Sequence, residues 1–493
     1  MSEESQPLIA QARALTIRAQ GVLPDAGPEL ERILARIDEP LRVAIAGKVK
    51  AGKSTLLNAL VGEKLAPTDT GECTKVVTWY RDGHTYEVMV HPSGPGPAKQ
   101  VPFRRDGGAV DIDLGGMLAD DIARIDVSWP SSSLRKMTLI DTPGVDSVNA
   151  EIGARSVKFL DSSEESTEAD AVLYLMKHMH TSDLHLLEAF HDDEVSSPNP
   201  VNAIAILSRA DEIGVGRLDS MASARRIASR YEDDPKLRRL VQIVMPVAGL
   251  LAETAKTLTQ LEFSQLRELS AVPPKEIEVH LLSADRFIEA RADTPLTSLD
   301  RANLLDRFGL FGIRLALPLL RREVVTTSSE LSDELVQRSG LVDLQQILAT
   351  LFVDRADVLK ARSGLLAVER LCLRDRNRPG VDQLLVEVER IVASAHPFKE
   401  LSSLAALRGG AVKGKKPDLL RLERDLGATG TTPWQRLGLA ATADENELRT
   451  ATYSEIASLQ RLAESPFSNH DLAAACRVAI RSMEALLVAE PAP

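Results

Sequence analysis

Aromatic residues, cysteines and long apolar runs are all scarce in this 493-residue sequence. Aromatic side chains make up 4% of the chain, a composition that favours helices over β-sandwiches. The three cysteines, Cys73, Cys372 and Cys476, stand alone without metal-ligand spacing, which is typical of a reducing cytosol. No apolar run reaches the ~18 residues of a membrane span, and the N-terminus lacks the basic segment of a signal peptide. We therefore expect a cytoplasmic protein without a signal peptide or transmembrane helix.

Positive charge is also in deficit, because 59 basic side chains face 71 acidic ones and the net charge is −12. This balance argues against a general nucleic-acid-binding surface, so DNA is not an expected partner. Contact with anionic lipid would need a local basic patch. The length predicts two to four structural units, and 44% apolar residues support globular packing.

The most informative stretch is residues 41–58, LRVAIAGKVKAGKSTLLN. An apolar strand pattern leads into the motif G-x-x-x-x-G-K-[ST], and a helical pattern follows directly. Backbone N–H groups of such a loop cradle phosphates, while Lys53 reaches the β- and γ-phosphates and Ser54 ligates Mg²⁺. The alternative is an ordinary glycine-rich turn. The predicted nucleotide-binding residues here are Gly47, Lys48, Val49, Lys50, Ala51, Gly52, Lys53, Ser54 and Thr55.

Two further segments fit a triphosphate site. Residues 67–74 form a polar, turn-rich segment whose last residue, Thr74, can complete the Mg²⁺ shell; alternatively Thr74 simply enters a strand. The sequence LIDTPG ends an apolar strand pattern with D-x-x-G. Asp141 would hold a water molecule on Mg²⁺, and the Gly144 N–H would contact the γ-phosphate.

Base recognition is predicted at the end of a later strand, in the sequence SRAD. Asp211 can accept two N–H groups of guanine, and the Arg209 stem can lie under the ring, beside Ser208. The usual pattern is Asn/Thr-Lys-x-Asp, so the departures leave adenine or loose specificity open. A weaker prediction places backbone N–H groups of Ala248 and Gly249 near the base oxygen.

Together GKVKAGKS, ECT, DTPG, SRAD and PVAGLLAE resemble the GTPase domain of the dynamin superfamily, above all bacterial dynamin-like proteins, including the mycobacterial isoniazid-inducible members. The resemblance implies GTP hydrolysis, Mg²⁺ held by Ser54, Thr74 and, through water, Asp141, and helices on both sides of the domain forming a neck and trunk. It also implies nucleotide-dependent dimerisation with a second copy or a paralogue, because no glutamine follows DTPG to orient water. Eukaryotic dynamins carry a serine at the position of Lys50. The Lys50 ammonium either supplies positive charge in catalysis or points to solvent.

Alternating strand and helix patterns over 41–250 predict a mostly parallel sheet covered on both faces. Helical patterns dominate 251–493, and residues 1–40 are expected to pack with them. A single helix of ~45 Å is predicted over 342–373. Glycines and Pro318 within 308–320 predict a bend, either a hinge between neck and trunk, a kinked core helix or a membrane-inserting segment.

Two basic turns are candidates for contact with anionic lipid at a bundle tip, 374–380 and 408–416, although both can be solvated loops. The lipid-contact candidates are Arg408, Val412, Lys413, Lys415 and Lys416. Four histidines, His178, His180, His185 and His191, can be read as a metal cluster, but a surface helix is favoured.

The favoured function is a dynamin-like GTPase that couples dimerisation to membrane binding and remodelling at the inner membrane face. The alternatives are a regulatory GTPase acting on RNA, ribosomes or protein, and a scaffold that binds nucleotide with little turnover.

Overall fold

The structure, a computed structural model, describes residues 7–67, 75–106, 109–144, 169–190, 200–289 and 295–488. The described strands are β1 (Leu41–Gly47), β2 (Thr78–Asp82), β3 (Glu87–Pro92), β4 (Lys99–Gln100), β5 (Phe103–Asp106), β6 (Ala109–Ile112), β7 (Ile122–Trp129), β8 (Met137–Asp141), β9 (Ala171–Met176), β10 (Ala203–Ser208) and β11 (Ile243–Val247). The described α-helices are α1 (Leu8–Val22), α2 (Gly27–Asp38), α3 (Lys53–Val61), α4 (Thr181–Phe190), α5 (Ser220–Glu232), α6 (Pro235–Arg238), α7 (Gly249–Lys256), α8 (Gln260–Ser270), α9 (Pro274–His280), α10 (Ala284–Glu289), α11 (Ser298–Arg321), α12 (Ser328–Ser339), α13 (Leu341–Leu351), α14 (Ala356–Arg374), α15 (Val381–Ser394), α16 (His396–Arg408), α17 (Lys416–Asp425), α18 (Pro433–Leu437), α19 (Glu445–Ala463) and α20 (His470–Val488).

A nine-stranded sheet carries the nucleotide-binding motifs, with strand order β11-β10-β9-β1-β8-β2-β7-β3-β4. Strands β11, β10, β9, β1 and β8 run parallel, and β2 pairs antiparallel with β8. Both faces are covered, since Val43 and Ile45 enter one apolar core while Ala44 and Ala46 enter another. This arrangement confirms the predicted fold class, a mostly parallel P-loop sheet followed by a helical region.

The division predicted at residue 250 is wrong, because the apolar core of the sheet continues well beyond it. That core runs from Leu41 to Leu359 and includes Phe308 and Leu335. A second core joins α1 and α2 to α14 and the helices that follow it. Helical periodicity shows that one face is buried but does not show what buries it, so α7–α13 could not be assigned to the sheet from their pattern.

The single helix predicted over 342–373 is also wrong. It is interrupted at Phe352 and by a short 3₁₀ turn at Val353–Arg355, which separates α13 from α14. Phe352 is fully buried, and the Arg355 side chain donates to the Gly427 carbonyl. The break therefore lets α13 pack with the sheet while α14 belongs mainly to the second core.

The N-terminal helices α1 and α2 pack on α14. The Lys360 ammonium donates to the Ile37 carbonyl over 2.9 Å, and Arg18 of α1 pairs with Glu387 of α15. A Cβ placed on Gly364 would lie 3.1 Å from the Ile37 side chain, so α14 and α2 approach closely at this point. None of the described helices combines the length and apolar character needed to cross a membrane.

The predicted bend lies in α11, at Gly309, where φ is 59° and ψ is 174°. Phe308, Phe311 and Leu317 are buried in the core of the sheet domain. This packing contradicts both membrane insertion and a hinge between neck and trunk, and leaves the kinked core helix. Because α11 packs on the sheet domain, its bend is close to the nucleotide-binding motifs.

Candidate functional site

The phosphate loop connects β1 to α3, and Lys53 is the first residue of that helix. Its side chain is buried, and its ammonium donates to the carbonyls of Gly47 and Lys48 over 3.2 and 3.3 Å. Burial lowers the pKa of Lys53, partly opposed by the negative charge of Asp141. The hydrogen bonds of this buried cation to the described residues go to neutral carbonyls, so a phosphate would add stronger, charge-assisted bonds.

Asp141 ends β8 beside this lysine and accepts a 2.8 Å hydrogen bond from the Ser54 hydroxyl on Oδ2. Its other oxygen, Oδ1, is buried and has no hydrogen-bond partner among the described residues. Burial raises the pKa of Asp141, against the charge of Lys53 and the hydrogen bond from Ser54. Hard oxygen donors with an unused buried lone pair fit a Mg²⁺ ion, which would supply charge neutralisation between phosphates.

Gly144 lies against the phosphate loop. A Cβ at Gly144 would come within 2.6 Å of the Val49 side chain and 2.8 Å of its Cα, so no larger residue fits. The glycine of D-x-x-G thus lies directly beside the phosphate loop. Thr74, predicted as a Mg²⁺ ligand, lies outside the described residues, so its role stays a prediction.

A pocket follows the phosphate loop, formed where α3, the end of β10 and the start of α7 meet. Its lining includes Gly52, Thr55, Ser208, Arg209, Asp211 and Gly249. Asp211 and Ser208 are both buried, and the Ser208 hydroxyl has no hydrogen-bond partner in the part of the chain that is described. Burial raises the pKa of Asp211 to about 6, with Glu212 adding to the rise and Arg209 opposing it. The Asp211 carboxylate can therefore accept hydrogen bonds from a nucleotide base, and the Ser208 hydroxyl can donate one.

Arg209 joins this pocket to the phosphate loop. Its guanidinium donates to the Lys50 carbonyl over 3.1 Å and to Glu212 over 2.6 Å. Lys50 and Arg209 both adopt left-handed backbone conformations, with φ of 59° and 51°, and so does Val215 at 61°. Left-handed conformations at residues other than glycine cost free energy and concentrate at functional sites. Lys50 is exposed, and the contact shown uses its carbonyl rather than its ammonium.

One predicted base contact is wrong. The Ala248 N–H donates to the Ser339 carbonyl over 2.9 Å, and Ala248 is fully buried, so this group is not available to a nucleotide. Gly249 does line the pocket as the first residue of α7. The sequence could not show this, because Ser339 is 91 residues further along the chain.

A polar network behind the phosphate loop was missed by sequence reasoning. The Lys48 ammonium lies 3.2 Å from the Asp183 carboxylate, which also accepts from the Tyr174 hydroxyl over 2.7 Å. Burial and the charge of Asp183 raise the pKa of Tyr174 far above its ordinary value. The network links the loop to β9 and α4; the tyrosine within the otherwise apolar pattern of β9 was the available signal.

Two predicted lipid contacts are contradicted. Val412 is 4% exposed and belongs to the second core, so it cannot enter a membrane without unfolding. Arg408 donates to the Val241 carbonyl over 3.3 Å and pairs with Glu423, which ties it to the sheet domain. Lys413, Lys415 and Lys416 are exposed, although Lys416 lies 3.2 Å from Asp233.

Phe467, which no motif or periodic pattern marks, is 97% exposed in the turn between α19 and α20. Asn469 of this turn donates to the Lys413 carbonyl over 3.2 Å, so the two loops are neighbours.

The 374–380 turn closes α14, where Arg378 pairs with Asp25. No group of three or more metal-ligating side chains occurs among the described residues, and His185 instead contacts Glu188; His191 lies outside them.

Comparison with known proteins extends these findings. Residues 42–203 match the family model described as 50S ribosome-binding GTPase. The isoniazid-induced protein IniC of Mycobacterium tuberculosis is 38% identical over 93% of this chain and 92% of its own length. The bacterial dynamin-like protein of Nostoc punctiforme is 31% identical over 22% of this chain and 17% of its length. A solved oligomerised bacterial dynamin pair covers 98% of this chain and 79% of that chain with 15% identity and a TM-score of 0.33.

The fold, the phosphate loop and the base pocket define a P-loop GTPase of the bacterial dynamin-like class, which binds GTP and hydrolyses it. Within that class, the chain belongs to the family of isoniazid-induced protein IniC, as its full-length similarity shows. The resemblance and the GTP hydrolase activity predicted from the motifs are thereby confirmed.

Proposed function

We propose that this GTPase couples GTP-dependent pairing of its nucleotide faces to binding and remodelling of anionic membrane at the inner face. Ser54, Thr74 and Asp141 are the residues that would hold Mg²⁺, which would neutralise charge on the phosphates. Lys53 neutralises the transferred phosphate, and Asp211 selects guanine. The partner across the nucleotide face is a second copy or a paralogue.

Exposed apolar side chains around the pocket support the pairing. Val49 of the phosphate loop, Val215 and Leu218 are all exposed, the latter two close after Asp211. Val215 is held in a left-handed conformation that is costly for a β-branched residue. Clustered exposed apolar residues at the mouth of a site mark an interaction surface.

The membrane-binding surface consists of Lys413, Lys415, Lys416 and Phe467, and Phe467 is the observation that carries the proposal. An almost fully exposed phenylalanine beside lysines provides an apolar contact for lipid chains and charges for lipid phosphates. Each basic residue near an anionic surface contributes about 1 kcal/mol.

Vesicle flotation tests this proposal. Full-length protein is mixed with phosphatidylglycerol-containing or purely zwitterionic vesicles, with GTP, GDP or no nucleotide. We expect flotation with anionic vesicles, enhanced by GTP and weakened at least about fivefold by Phe467→Ser or by Lys413→Gln combined with Lys415→Gln. The control Leu118→Ser removes another exposed apolar side chain, 63% exposed and outside this surface, and should float like the wild type.

Flotation that is independent of lipid charge and of nucleotide would contradict the proposal. Flotation of Phe467→Ser at the wild-type level would also contradict it. Co-sedimentation with ribosomes in place of vesicles would favour the regulatory GTPase instead. Pairing is tested separately by sedimentation velocity with a non-hydrolysable GTP analogue, where Leu218→Ser should remove the dimer that the wild type forms.

A further inference from the structure

A second polar cavity lies between the sheet domain and the neck, and it shares no lining residue with the nucleotide pocket. Its polar lining comes from α2, the beginning of β1, β7 and α14: Arg32, Arg36, Glu39, Arg42, Arg124 and Ser363. The cavity volume is 230 Å³. A single water molecule needs only about 10–15 Å³ of such space, so a ligand of many atoms fits.

Five arginines lie in or beside this cavity, and four carboxylates neutralise them, one of which is Glu29 at 4.0 Å from Arg32. Arg36 pairs with Asp170 at 2.7 Å, and Arg42 pairs with Glu39 at 2.9 Å. A single carboxylate, Asp126, serves Arg81 and Arg124 at 3.2 Å each and also contacts His91 at 3.0 Å. The cavity is therefore locally positive in a chain whose net charge is −12.

Trp79 holds three of these arginines together. The guanidinium carbons of Arg42, Arg124 and Arg81 lie 4.7, 4.8 and 5.3 Å from the centroid of its ring. Cation–π attraction offsets the repulsion between them and fixes their positions. Nε of Arg42 is buried and has no hydrogen-bond partner in the described part of the chain, so a donor is available beside the cavity.

A smaller cavity continues along the groove between α2 and α14. It shares Arg32 with the first cavity and adds Arg370 and Arg374, together with one carboxylate, Glu29. Each planar guanidinium fork can donate two parallel hydrogen bonds to a phosphate, and several forks together can bind the three or more oxygens that a phosphate presents. The continuation suits a ligand with more than one phosphate or with a phosphate and a polar tail.

We propose that this arginine cavity binds a phosphate-bearing anion at the junction of the sheet domain and the neck. Arg42 and Arg124 belong to the sheet, whereas Arg32 and Arg36 belong to α2 and Ser363 to α14. A bound phosphate accepts from both sides at once, and so fastens the neck helices to the GTPase domain. The site is independent of the nucleotide pocket and of the proposed membrane function.

Isothermal titration calorimetry of the full chain tests the site with inorganic pyrophosphate and with water-soluble short-chain phosphatidylglycerol as separate probes. Mg²⁺ and saturating GDP occupy the phosphate loop, and the Lys53→Ala variant is titrated in parallel. We expect saturable binding that Lys53→Ala retains and that Arg42→Gln weakens at least about tenfold. Pyrophosphate binding assigns a soluble anion, and binding of the lipid alone assigns a headgroup.

Arg32→Gln is a second test variant that should fold normally, because the Arg32 side chain is 68% exposed. It should weaken binding of the probe several-fold. The matched control is Arg105→Gln, which removes an arginine that also stacks on a tryptophan, 4.5 Å from the Trp129 ring, and pairs with Glu63 outside the cavity. Binding to neither probe, binding unchanged in both Arg42→Gln and Arg32→Gln, or loss of binding in Lys53→Ala would overturn the proposal.

Discussion

Guanine binding should depend on pH through Asp211. The carboxylate must be ionised to accept two N–H groups of the base, yet burial raises the pKa of Asp211 to about 6. Protonation converts one acceptor oxygen into a donor that faces the donors of guanine. Lowering the pH through 6 therefore removes the binding-competent form of the free protein.

The size of the effect follows from the ionised fraction. With a pKa of about 6, about 90% of the protein carries the carboxylate at pH 7 and about 10% at pH 5. Because apparent affinity scales with the competent fraction, GDP affinity should fall about tenfold between these pH values, or about 1.4 kcal/mol. Above pH 7 the affinity should change little.

The assay is equilibrium binding of a fluorescent GDP analogue between pH 5 and 8, at constant ionic strength and saturating Mg²⁺. The Asp211→Asn variant should bind GDP weakly with a flat profile around pH 6, and should prefer xanthosine diphosphate, whose carbonyl replaces the amino group of guanine. A flat wild-type profile, or an equal slope in Asp211→Asn, would refute the reasoning.

The same substitution should stabilise the nucleotide-free protein. Because the folded pKa lies above the ordinary value of 3.8, the unfolded chain ionises first, and stability falls as pH rises from about 4 to about 6. The difference between the two pKa values corresponds to at most about 3 kcal/mol. Urea unfolding should show Asp211→Asn more stable at pH 7 and equal to the wild type near pH 4; a lower stability at pH 7 would contradict this.

Three further substitutions test the packing around the site. Gly309→Ala places a Cβ within 4.0 Å of Asp211 Oδ2 in a left-handed conformation, so we expect about 1–2 kcal/mol lower stability and weaker GDP binding; if both are unchanged, the contact is unimportant. Asn58→Ala removes a buried side chain that bonds Leu65, Ala66 and Glu253, and should lower the free energy of unfolding by about 3 kcal/mol, whereas the exposed control Asn469→Ala should lose less than about 1. Val412→Ala should cost about 1–3 kcal/mol by urea unfolding and leave vesicle flotation unchanged, and the opposite pattern would restore Val412 as a lipid contact.

Local motifs could predict a nucleotide site because the chemistry of each motif lies within a few residues at the end of a strand. Lys53, Ser54 and Asp141 lie close together, since β1 and β8 are parallel neighbours that end at the same edge. Asp211 lies in the pocket next to the phosphate loop because β10 belongs to the same parallel sheet.

Contacts between segments that are distant in the chain could not be predicted from the sequence. The hydrophobic pattern of α11 marks a buried face, but not that Arg314 donates to the carbonyls of Val215 and Gly216 beside the base pocket. Val412 stands in a basic, glycine-rich loop that looks solvated, and its burial depends on helices before and after it. Phe467 was overlooked because one phenylalanine in a short turn carries no periodic signal.

Phosphate release by the purified full-length protein tests the central claim most directly, that the phosphate loop with Lys53 and the adjoining pocket with Asp211 bind and hydrolyse GTP. We predict release from GTP but not from ATP, reduced at least about 100-fold by Lys53→Ala. Equal release from both nucleotides, or an undiminished rate in Lys53→Ala, would contradict the account.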